Sequence, residues 1–185
     1  DLQSIRLVGR GKPYNWEPFM SKYKCDIVCE LGICKGTNFW QMTKHAPKIA
    51  VAIDSWVNDG VVSRNEGRNP QETLDAQYEY FKKNVSDKPF VKTYREYTFD
   101  AVRRFADNYF DVVYIDADHS YAGCLRDIND WYSKVKKGRF LLGDDYRESE
   151  YKVRFGVIEA VNEFAKSNNL NFIKLPSYGW GIIKK

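Results

Sequence analysis

A chain of 185 residues is long enough for one domain with a sizeable core, and 43% hydrophobic with 16% aromatic content excludes a disordered chain. The 29 basic and 25 acidic side chains are interspersed, for a net charge of +4, so no basic stripe points to a nucleic acid. No apolar run approaches the roughly 20 residues that span a bilayer.

The first residues lack a signal peptide's apolar segment, and Asp1 in place of a methionine leaves the native start open. The cysteines Cys25, Cys29, Cys34 and Cys124 form no CxxC pair. With His45 and His119 as the only histidines, zinc-type spacing is absent. Reduced thiols, a cytoplasmic setting, and no membrane or nucleic-acid partner are expected.

In chain order, Glu17 to Tyr23 predicts a short helix after a Gly/Pro-containing lead. CDIVCELG predicts a buried strand ending at Gly32, and Thr37 to His45 a helix closed by Pro47. KIAVAID is a second strand, ending at Asp54. The polar stretch from Val57 to Pro70 predicts a loop, and Gln71 to Val85 carries Leu74, Tyr78 and Phe81 at helical intervals.

PFVKTY is a third strand, followed by a helix to Ala106 with Thr98 as its N-cap. DVVYID is a fourth strand and Tyr121 to Val135 a helix. The basic run Lys134 to Arg139 suits a solvated turn better than a phosphate contact. RFLLGDD is a fifth strand, Gly156 to Asn168 a helix, and NFIKL and WGIIKK close the chain as an antiparallel edge pair. Short apolar strands alternating with helices predict an α/β fold: one Rossmann-like, doubly wound, mostly parallel sheet. No linker or repeat divides it. A lead of residues 1–24 precedes a core of residues 25–185.

In such a sheet the parallel strands end on one rim, where ligands bind. Here that rim collects Glu30, Asp54, Asp116, Asp118, Asp144 and Asp145, with Tyr97 and Thr98 after the third strand and His119 beside the acids in VVYIDADHSY. Such a concentration of carboxylates requires a cation among them. Each group has a blander role as a cap, turn former or surface residue, but five strand ends contribute at once. The ELGICKG turn lacks the third glycine of a dinucleotide fingerprint. Glu30 before it would repel phosphate and attract an ammonium, while the acid ending the second strand can take both hydroxyls of a ribose. A cationic nucleoside with an amino-acid tail, S-adenosylmethionine, fits these features.

The motifs CELGICKGTN, YIDADHSYAGCLRDINDW, GDDY and GVIEAVNEF resemble those of class I S-adenosylmethionine-dependent methyltransferases. The likeness is to the metal-assisted O-methyltransferases, including the macrolide, sugar, catechol and caffeoyl-coenzyme A families. The resemblance implies that Glu30 holds the methionine amino group, with Gly32, Gly36, Thr37 and Asn38 around its carboxylate and sulfur. It places Asp54, Ser55 and Trp56 at the ribose and adenosine, and Tyr97 and Thr98 at the adenine. Asp116 borders the cofactor and, with Asp144 and Asp145, matches the positions that bind a divalent metal, magnesium above all. Asp118 stands as an alternative ligand, and Asp145 departs from the asparagine often found at its position.

A metal held by oxygens lowers the pKa of an acceptor hydroxyl. His119 is then the expected general base, although nearby carboxylates oppose that role by favouring its protonated form. The expected acceptor is a small molecule with a hydroxyl (a sugar, polyketide or phenol), bordered by residues 57–70, residues 146–155 and the lead, with Trp16, Tyr146 and Tyr151 supplying aromatic surface. A homo-oligomer is compatible with this reading. A nicotinamide-dependent oxidoreductase and a non-catalytic binding module are the alternatives.

Overall fold

The computed structural model of the chain describes residues 6–7, 14–58, 70–148 and 156–185. A two-residue antiparallel pair, β1 (Arg6–Leu7) and β2 (Tyr14–Asn15), leads into α1 (Glu17–Tyr23). The sequence pattern gave no sign of this pair, because two residues carry no periodicity. Then come β3 (Ile27–Leu31), α2 (Thr37–Met42), β4 (Ile49–Asp54), α3 (Gln71–Val85), β5 (Val91–Arg95) and α4 (Thr98–Ala101). The chain continues through β6 (Phe110–Ile115), α5 (Tyr121–Tyr132), β7 (Val135–Gly143), α6 (Val157–Ser167), β8 (Phe172–Lys174) and β9 (Trp180–Ile183).

The main sheet has the order β5-β4-β3-β6-β7-β9-β8. The first five strands run parallel. β9 inserts antiparallel between β7 and β8, so β8, not β9, forms the edge. Strand order reverses between β3 and β6, which opens a crevice at their carboxyl ends.

Side-chain alternation along the strands divides the core into two layers. Val28, Ala50, Ala52, Val112, Tyr114, Phe140 and Leu142 pack with Phe19, Phe39 and Phe81 from α1, α2 and α3. Their neighbours Cys29, Leu31, Val51, Ile53, Val113, Ile115 and Leu141 pack with Ala101, Ile128, Trp131 and Val161 from α4, α5 and α6. Glu30 shares the face of Val28 and therefore looks toward α2.

Three helix ends differ from the sequence expectations. α2 stops at Met42, where the Thr43 hydroxyl donates to the Phe39 carbonyl at 2.9 Å and Ala46 then turns left-handed at φ 54°. α4 is capped by Tyr97, not Thr98, and passes into a single 3-10 turn at Val102–Arg104. The Thr98 hydroxyl instead donates to Asp127 at 2.6 Å. α5 ends at Tyr132, so Val135 opens β7.

All four cysteines are free, and burial pushes the Cys25 thiol up to about 12. Among the described residues no helix is long and apolar enough to cross a membrane.

Candidate active site

The carboxyl ends of the parallel strands surround a cleft of about 430 Å³, within the range of small-molecule sites. Its floor is set by close packing at the strand switch. Gly32 has φ +81°, and a Cβ there would lie 1.9 Å from the Asp116 carbonyl oxygen, so no larger residue fits. Glu30, Gly32, Thr37, Asn38, Asp54, Ser55, Trp56, Tyr97, Thr98, Asp116 and His119 all line the cleft, as the sequence placed them. Gly36 does not: at φ +84° it lets the start of α2 approach the Phe81 ring, where a Cβ would sit 2.6 Å away. Its missing side chain serves packing, between Lys35 and Thr37, which both line the cleft.

Glu30 is 2% exposed. Its Oε1 accepts from Asn38 Nδ2 at 3.1 Å, while Oε2 is buried without a partner. Burial pushes its carboxyl well above the ordinary glutamate range. The Asn38 hydrogen bond opposes this, and the charges of Asp116, Asp144 and Asp54 add to it.

Asp54 is differently arranged. Its Oδ2 accepts from the Ile33 and Cys34 amides at 2.8 and 2.9 Å, and its Oδ1 from the Trp56 amide at 2.8 Å. Three backbone donors occupy a carboxylate with about four acceptor positions, which leaves one for a ribose hydroxyl rather than two. Burial raises its carboxyl, opposed by these same three hydrogen bonds. The acid therefore organises the turn after β3 as well as facing the cleft. Trp56 is held beside it through Nε1, which donates to the Cys34 carbonyl at 2.9 Å.

Past β5, the rings of Tyr97 and Phe99 stack at 5.0 Å with an interplanar angle of 10°, and the Arg126 guanidinium lies 4.4 Å from the Phe99 centroid. Phe99, Arg126, Leu74 and Gln77 line the cleft and were not anticipated from the sequence. Arg126 and Gln77 reach it from α5 and α3, contacts that no local motif encodes.

At the far side, Asp116, His119 and Asp145 converge, with one potential ligand atom from each within 4.8 Å of the others. His119 Nε2 lies 3.1 Å from Asp116 Oδ1 and 3.5 Å from Asp145 Oδ2, and Arg147 Nε stands 3.0 Å from Asp145 Oδ1. Asp144, expected as the third metal ligand, is not one of the group. Its Oδ2 accepts from the Tyr114 hydroxyl at 3.0 Å and its Oδ1 from the Asp145 amide at 2.7 Å. Asp118 lines the cleft but is not one of the group either. Its Oδ1 accepts from the Ser120 amide at 2.9 Å, and a Cβ at Gly123 would meet its Oδ2 at 2.1 Å, so the first turn of α5 closes onto it.

The acceptor-side expectations for residues 59–69 and 149–155, Tyr151 among them, lie outside the described residues. Tyr146 is partly buried and its hydroxyl donates to Asn162 at 3.0 Å. Trp16 is fully buried.

A sheet of this order, with its cleft at the strand switch, is that of a Rossmann-like methyltransferase fold. The chain belongs to the methyltransferase-domain family, whose model matches residues 29–146. It is similar in structure to the O-methyltransferase NovP, with a TM-score of 0.66 and 15% identity, over 91% of this chain and 75% of that one. An O-methyltransferase from Bacillus cereus in complex with SAH superposes with a TM-score of 0.64 and 11% identity, over 91% and 78%. TomG from Streptomyces achromogenes, an O-methyltransferase involved in tomaymycin synthesis and in complex with SAM, gives 0.63 and 10%, over 91% and 78%. In sequence, protein R132 of Acanthamoeba polyphaga mimivirus is 36% identical over 56 residues, 30% of this chain and 24% of that relative's length.

Proposed function

We propose that the chain binds S-adenosylmethionine and transfers its methyl group to a hydroxyl oxygen of a small-molecule acceptor. The observation that carries this reading is the unpartnered Oε2 of Glu30, buried in a cleft at the strand switch. That atom suits the ammonium of the methionine moiety. Gly32 leaves room for the ligand to approach the backbone, and Tyr97, Phe99 and Arg126 offer an apolar and cationic border for adenine. The solved structures with SAH and SAM support the same cofactor class.

In the reaction, a lone pair of the acceptor oxygen forms the new C–O bond as the C–S bond breaks, and the sulfonium becomes a thioether. The acceptor proton passes to His119. Nε2 of His119 lies against Asp116 and Asp145, and these carboxylates stabilise the imidazolium that forms. A sugar, polyketide or phenol is the acceptor class we favour, because methyl transfer to such hydroxyls needs this proton removed.

A second reading is favoured by the convergence of Asp116, His119 and Asp145, whose spacing and oxygen-rich donors fit a divalent cation. These three residues would hold it, and when bound it would supply charge that lowers the acceptor's pKa. A cation bound at Nε2 would replace the contact of that nitrogen with Asp116.

Calorimetry with S-adenosylhomocysteine and with NAD tests the cofactor: the former binds and the latter does not. Transfer of a labelled methyl group to an acceptor panel, with and without EDTA, separates the base from the metal. Binding without transfer to any acceptor would favour a non-catalytic module.

A further inference from the structure

Trp16 stands ahead of the sheet, yet its indole Nε1–H donates to Asn38 Oδ1 at 2.8 Å. Asn38 Nδ2 in turn donates to Glu30 Oε1 at 3.1 Å and lies 3.5 Å from Met42 Sδ. An indole nitrogen only donates, so the amide must turn its oxygen to Trp16 and its nitrogen to Glu30. The opposite orientation would set two donors against each other at one end and two acceptors at the other. The indole thus decides which amide atom meets the buried acid. It leaves Oε1 held and Oε2 buried without a partner beside the cleft that Glu30 lines. The Trp16 ring is itself fixed, fully buried and edge-on to Tyr114 at 5.3 Å.

We propose that Trp16 is a positioning residue for the amino-acid end of the S-adenosyl ligand, acting through Asn38 on Glu30. The segment ahead of the Rossmann-like core then sets the preference for a ligand that carries an ammonium. The inference rests on the S-adenosyl reading above. Without the indole N–H the Asn38 amide is free to rotate, and its oxygen can face Glu30 and displace the carboxylate from its ligand-ready position.

The test compares S-adenosylhomocysteine with methylthioadenosine, which shares the adenosine and the thioether but lacks the amino-acid tail. In Trp16→Phe, the Kd for S-adenosylhomocysteine rises about tenfold, as expected for a charge-assisted contact that is weakened rather than lost. The Kd for methylthioadenosine changes by less than about twofold. Replacing Trp16 with 3-benzothienylalanine keeps the bicyclic ring and removes only the N–H, so it gives the same split even where the phenylalanine variant does not fold. Equal weakening of both ligands, or no change in either, overturns the proposal. A wild-type chain that binds neither ligand removes the S-adenosyl reading and the relay together, whereas wild-type binding with an unchanged benzothienyl variant removes the relay alone.

Discussion

Two buried carboxylates on neighbouring strands have opposite surroundings. Asp111 opens β6 at the amino ends of the strands and is 2% exposed; Glu30 sits near the end of β3 and is also 2% exposed. Asp111 accepts from the Asp26 and Ile27 amides at 3.0 and 2.9 Å and from Lys136 at 2.9 Å, with Arg139 at 3.5 Å. Every side of that acid is answered. Glu30 has one amide on one oxygen and nothing on the other. Equal burial with unequal satisfaction separates an acid that ties the fold together from the one to which we assign the ligand. Desolvation alone would make both unfavourable, so the partners decide.

The largest effect should come from Glu30→Gln. It removes the charge that meets the ammonium, and S-adenosylhomocysteine binding should weaken about 100-fold, the weight of a charged contact of about 3 kcal/mol. In thermal melts without ligand, the same variant should hold or gain stability, because a partly unsatisfied buried acid has been neutralised. A fall in melting temperature with binding retained would break the contrast.

Asp111→Asn should behave in the reverse way. It leaves Lys136 and Arg139 without their carboxylate and should lower stability by about 2–3 kcal/mol in denaturant titrations. Its Kd for S-adenosylhomocysteine should stay at the wild-type value, since Asp111 lies at the opposite end of the strands.

A smaller effect sharpens the comparison with a third acid. Asp127 is fully buried on α5, accepts from Thr98 through Oδ1 and leaves Oδ2 unpartnered. Burial pushes its carboxyl up to about 7, opposed by the Thr98 hydrogen bond and Arg126, while the unfolded chain releases that proton near 3.8. The folded state therefore holds the extra proton between these values, and stability falls as pH rises through that window. Asp127→Asn should flatten this slope in urea titrations between pH 4 and 8. An unchanged slope would mean that Asp127 stays ionised throughout.

Much of this arrangement was legible in the sequence, for a physical reason. Strand alternation with helices and acids at strand ends are local patterns, and a parallel sheet gathers its strand ends on one rim. Hence Glu30, Asp54, Asp116 and His119 could be placed on one cleft from spacing alone. What escaped depended on partners far along the chain. Asp144 looks like its neighbour Asp145 until the Tyr114 hydroxyl, thirty positions away, claims it. Asp54 reads as an acid with both oxygens free for a ribose until three amides are found on it. Trp16 reads as an acceptor-side aromatic, and only its buried indole shows that it faces Asn38. Hydrogen-bond satisfaction is a tertiary property, and no periodicity reports it.

The most direct measurement is a crystal structure of the chain with S-adenosylhomocysteine bound. The ligand's amino group should lie within hydrogen-bonding distance of Glu30 Oε2, with Asn38 still between Trp16 and Oε1 and the thioether turned toward Asp116 and His119. A ligand bound elsewhere on the chain, or one whose amino group leaves Oε2 untouched, would contradict the account.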